Sequence, residues 1–111
     1  MTRVPMSAAA SALLRALIAR SGASRDRILL TEVRSTDWRS LTFNGQRHQI
    51  HFRIPGPNAC EIADRMCGGL EDAEFSIPGQ VVADIALLRE PKYAFNGTIT
   101  LTIEALTIDA D

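Results

Sequence analysis

The segment Arg47-His48-Gln49-Ile50-His51-Phe52-Arg53 holds the chain's only two histidines between two arginines. Imidazole titrates near neutral pH, which suits it to proton transfer and, as the neutral base, to metal coordination. Three positions apart on an extended strand, His48 and His51 fall on opposite faces and are poorly placed to share one metal. His48 has the parity of Ile50 and Phe52 and is expected to be a hydrogen-bonded rim residue. His51 alternates outward with Gln49 and Arg53. Facing Thr100, Thr102 or Glu104 on another strand, it is the candidate for acid–base work, weighed against a plain solvated or interface residue. Cys60 and Cys67 add thiols without the spacing of paired C-x₂-C ligands, so neither a metal nor a cofactor is expected. No nucleophile elbow, phosphate loop or dinucleotide fingerprint occurs. A second cluster, Trp38-Arg39 with Arg47 and His48, reads in two ways. It is either an edge that recognises a planar or anionic ligand, or a loop in which Trp38 anchors against the core.

These side chains need a scaffold, and 111 residues supply one domain spanning 1–111. Apolar residues make up 46% and charged residues 23% of the chain, which excludes disorder. A net charge of −1 gives no bulk attraction to nucleic acid or to anionic membrane. The charge is nevertheless uneven. Residues 1–55 carry nine arginines against three acids, a balance of +6, and residues 56–111 carry three bases against ten acids, a balance of −7. Either the halves neutralise each other within one fold, or the basic half of one chain meets the acidic half of another. Cys60 and Cys67, seven apart on an expected helix, lie about 10 Å apart along its axis, beyond disulfide reach. Free thiols suggest a reducing compartment, and the cytoplasm is the expectation. Arg15 interrupts the apolar run near the N-terminus, which is expected to be a helix of the mature fold; no stretch has transmembrane length.

Ser7 is placed to cap a helix to about Ser21, with Ala10, Leu13, Leu14, Leu17 and Ile18 on one stripe and Gly22 as the stop. Residues 27–35 read as a strand interrupted by Ser35-Thr36-Asp37-Trp38-Arg39-Ser40. Asn44-Gly45 reads as a hairpin turn before the strand 47–54. Asn58 with Glu61 has the form of a capping box for a second helix, which Gly68-Gly69 ends. A loop follows, then a strand over 81–88. A second Asn-Gly turn at Asn96-Gly97 precedes the strand 98–108, where apolar parity switches at Ala105-Leu106.

The order αββαββ is consistent with an internal duplication covering 7–54 and 58–108: an offset of 52 residues aligns the two Phe-Asn-Gly triplets, the preceding apolar register and an acidic position. The expected fold is α+β, a two-layer sandwich with two helices on one face of a four-stranded antiparallel sheet. This order resembles a ferredoxin-like βαββαβ fold with its first strand moved to the end. The resemblance implies that the second and fourth strands are central.

The uncovered sheet face is expected to display Leu30, Glu32 and Arg34, then Gln49, His51 and Arg53, then Thr98 to Glu104 on alternate positions, with Val82, Ala86 and Leu88 as an apolar margin. Such a margin invites a partner. The leading expectation is a non-enzymatic domain that forms a homodimer or binds another protein through this face. The alternative is a small-molecule-binding or catalytic site built from His51, Arg53 and Glu104, or from Trp38, Arg39 and Arg47. Base-stacking platforms need exposed aromatic rings, which this face lacks, so nucleic acid is not an expected partner.

Overall fold

The computed structural model describes residues 6–110; Arg3 and Asp111, counted in the charge balance, lie outside the described residues. Helix α1 (Ala8–Ser21) begins where Ser7 Oγ accepts from the Ala10 N–H at 3.1 Å, and ends at Gly22, whose φ of +70° is left-handed. Strands β1 (Leu29–Arg39) and β2 (Asn44–Ile54) form a hairpin, helix α2 (Ala59–Cys67) crosses back, and β3 (Gln80–Leu87), β4 (Lys92–Tyr93) and β5 (Ile99–Asp109) complete the chain. The fold is α+β with two helices and an antiparallel sheet of five strands, one more than the sequence suggests. The added strand is the two-residue β4, which pairs with β5 beyond the end of β3. The sheet order is β1-β2-β5-β3, so β2 and β5 are central.

Alternation builds the core. Ile50, Phe52 and Ile54 of β2 pair with Ile103, Leu101 and Ile99 of β5, and all six are buried against Leu13, Leu17, Ile62 and Met66 of the helices. Arg20, near the end of α1, locks the helix pair by donating through Nε to Met66 O at 3.1 Å and through Nη2 to Gly68 O, two carbonyls at the end of α2. Arg27 likewise donates to Pro55 O at 3.1 Å and to Pro57 O, tying down the chain between β2 and α2.

Four expectations are corrected. The strand β1 runs through Trp38 to Arg39, because β2 begins early enough, at Asn44, to pair with it to the end. The first turn is therefore Ser40–Phe43, closed by the Ser40 N–H to Phe43 O at 2.9 Å, and Gly45 stands inside a strand. Only the second Asn-Gly turns the chain, with Gly97 at φ +89° and Asn96 Oδ1 accepting from the Thr98 N–H. Asn58 makes no side-chain cap; its own left-handed backbone (φ +64°) departs from the extended geometry that aims a cap side chain at the first helical amides. Finally, β1 is bulged between Leu30 and Glu32 and β3 between Val82 and Asp84. Each bulge reverses facing by one residue, so Leu30 and Val82 pack on the core side and not on the open face. The two bulges are separated by the same 52-residue offset as the two Phe-Asn-Gly triplets.

Candidate interaction face

With both helices packed into the core on one side, the other side of the sheet is open, and the strand registers order it in rows. The first row is apolar across its whole width: Trp38 opposite Gly45, Gly45 opposite Ile108, Ile108 opposite Val81. Val81 is 55% exposed; Trp38 and Ile108 are half-buried. Gly45 is required there, because a Cβ at that position would lie 2.0 Å from Thr107 O. In the next row Arg47 stands between Thr36 and Leu106, and Asp84 completes it.

The third row holds the polar centre. Glu104 accepts from Gln49 Nε2 at 3.1 Å through one oxygen and pairs with Arg47 Nη1 at 3.3 Å through the other. Arg34 and Ala86 flank it on the outer strands, and Arg34 makes its own ion pair with Glu32 at 2.9 Å. In the fourth row His51 Nδ1 lies 3.2 Å from Thr102 Oγ1. Leu88, 38% exposed, lies at that level, its N–H donating to Thr102 O at 2.9 Å. The last row carries Leu29, Arg53, Thr100 and Lys92.

The candidate residues are therefore only partly brought together. His51, Arg53 and Glu104 share the open face, but Glu104 is engaged by Arg47 and Gln49, and the His51 ring meets a hydroxyl and not a carboxylate. A His–carboxylate pair is not formed. Trp38 and Arg47 lie on that face in adjacent rows, whereas Arg39, one residue after Trp38, points to the opposite side at the end of β1. A cleft of about 170 Å³ beside His51 is lined also by Arg89, Glu90, Lys92, Thr100 and Thr102. Apart from Glu90, its charged walls are cationic, and its polar floor is two threonine hydroxyls.

Leu29, Val81, Leu106 and Ile108 are apolar face residues that sequence reasoning missed. For Leu106 and Ile108 the signal was the parity switch at Ala105-Leu106. In the structure β5 keeps its alternation, Ala105 and Thr107 stay on the core side, and the apolar side chains that follow face outward.

His48 behaves differently from His51. It is 0% exposed on the core side, with Nδ1 2.7 Å from Ser35 Oγ and Nε2 2.8 Å from Thr107 Oγ1. Its two ring nitrogens are thus satisfied by hydroxyls from both neighbouring strands, and burial lowers its pKa from the ordinary 6.5. It is hydrogen-bonded as expected, but it is interior and not at a rim. Cys60 is exposed and Cys67 half-buried, both as free thiols, and burial with the Asp64 charge raises the Cys67 thiol to about 11. Among the described residues no group of three or more His, Cys, Asp or Glu could hold a metal ion. No helix among them is long and apolar enough to cross a membrane.

No family model, curated protein or solved structure matches the chain.

Proposed function

We propose that this chain is a non-enzymatic association domain of the cytoplasm, whose open sheet face is covered by another protein surface, in the first instance in a homodimer. The observation that carries this reading is the apolar row Trp38–Gly45–Ile108–Val81, continued by Leu106 in the next row. An antiparallel sheet with one solvated face is ordinarily polar on that face. A contiguous apolar end that crosses every strand is instead what a buried interface presents. The engagement of Glu104 by two partners and of His51 by a hydroxyl supports a binding role over proton-transfer chemistry. The free thiols support a reducing compartment.

The architecture is consistent with two αββ units. The order β1-β2-β5-β3 is the one a ferredoxin-like sheet has after its first strand moves to the end, and the shared offset of the two bulges supports a duplication.

Sedimentation equilibrium tests the association. The wild-type protein is expected to be dimeric, and Ile108→Arg, which places a cation in the middle of the apolar row, is expected to weaken the dimer by about tenfold or more. A wild type that stays monomeric at high concentration would overturn the homodimer.

A further inference from the structure

We infer that the surface covering the open face is a second copy of this chain turned about a two-fold axis parallel to the strands; this rests on the association reading above. Of the two-fold axes lying in the interface, two keep the strands of the facing sheets aligned. An axis running across the strands lays each strand on its own copy and exchanges the two ends of the face. Arg34 and Glu104, both in the middle row, would then each approach their own equivalents. The apolar row would meet the last row, with Trp38 over Leu29, Gly45 over Arg53, Ile108 over Thr100 and Val81 over Lys92. That arrangement sets like charges together in the middle row and divides the apolar row from its own copy.

An axis along the strands exchanges the edges of the sheet and leaves each row facing itself. Trp38 then lies over the partner's Val81, and Gly45 over the partner's Ile108, so apolar meets apolar in the first row, while in the next Arg47 lies over the partner's Leu106. The outward arginines of β1 and β2 come to lie over β3 and β5, which carry Asp84 and Glu104. The aligned packing of two sheets at about −30° accommodates this overlay.

Two further observations favour a second copy as the occupant. The charge division between +6 and −7 is scarcely neutralised within the chain: of three ion pairs among the described residues, only Arg47–Glu104 joins the halves. Arg20 and Arg27 reach across to the acidic half but bond carbonyls there. A copy supplies the complement, since each basic half then meets an acidic one. The size also suits. With β2 eleven residues long, four strands at ~3.4 Å per residue and ~4.8 Å spacing cover on the order of 700 Å², near the ~800 Å² per partner of a standard interface.

Arg34 and Asp84 give the discriminating experiment. Within one chain they sit on opposite edge strands, about 14 Å apart at three strand spacings, too far to pair. Across the proposed axis they fall in one column, in adjacent rows. At low salt, Arg34→Asp and Asp84→Arg are each expected to raise the dimer dissociation constant about tenfold, and the double swap to return it to within about threefold of wild type. Thr36 and Asp84 share a row, and packed sheets lie ~10 Å apart, beyond disulfide reach, so Thr36→Cys with Asp84→Cys, in a Cys60→Ser background, is expected to give a covalent dimer with a bismaleimide linker of about that span. This cross-link decides the matter if a charge variant fails to fold. A wild-type dimer dissociated by Ile108→Arg, but with neither rescue nor cross-link, overturns the axis and leaves the association standing. A monomeric wild type overturns both.

Discussion

Gly45 and Gly97 end the same triplet, Phe-Asn-Gly, and do unrelated work. Gly97 supplies a left-handed turn, whereas Gly45 lets β2 pass close to the backbone of β5. Gly45→Ala would set a Cβ 2.0 Å from Thr107 O and must displace a central strand. We expect a loss of about 1–3 kcal/mol, the usual cost of overpacking, as a lower urea midpoint at unchanged slope. His48 sets a pH limit. Because its folded pKa lies below its unfolded value, the unfolded chain binds the extra proton. The stability that neutral His48 contributes is therefore complete above about pH 6.5 and declines as pH falls below it, down to the depressed folded pKa. Urea unfolding at pH 8 and pH 5.5 should show this decline in the wild type and a smaller one in His48→Gln. The interior position of His48 follows from its parity with Ile50 and Phe52, which was legible. Its depth was not, because burial there depends on Ser35 and Thr107 arriving from two other strands to satisfy it.

The helices and central strands were the most legible elements, because their apolar spacing is a property of single segments. Leu13, Leu14 and Leu17 mark one helix stripe, and Ile50, Phe52 and Ile54 one strand face, without reference to anything else. The edge strands were less so. Where a strand takes up an extra residue is decided by its pairing partner, so alternation alone puts Leu30 and Val82 one residue out of phase. Trp38 looks like a loop residue for the same kind of reason: Thr36, Asp37 and Arg39 are polar, but β2 holds them in a strand. Arg20 belongs to this scale because it serves two helices at once. Removing it leaves Met66 O and Gly68 O without their side-chain donor. Arg20→Ala is expected to cost about 1–2 kcal/mol, read as a lower midpoint of unfolding, whereas Arg20→Lys recovers only part, since a single ammonium reproduces the fork poorly.

At the scale of the whole molecule, the open face was anticipated as a surface but not as a pattern. Its polar centre at Gln49, His51 and Glu104 could be read from alternation. The apolar row could not, because it gathers one residue from each of four strands and exists only once their registers are set. The tenfold effect expected of Ile108→Arg corresponds to about 1.4 kcal/mol.

Both bulges lie in β1 and β3, the strands with no neighbour on their outer side. A regular unpaired strand offers its amides and carbonyls to any passing chain, and one such addition prepares the next, the route to open-ended fibres. A bulge kinks that template, and the gap between β3 and β4 shortens it further. Sideways growth is thus discouraged at both margins. Assembly through the flat of the sheet, by contrast, would use up its own surface in a single step and stop at two.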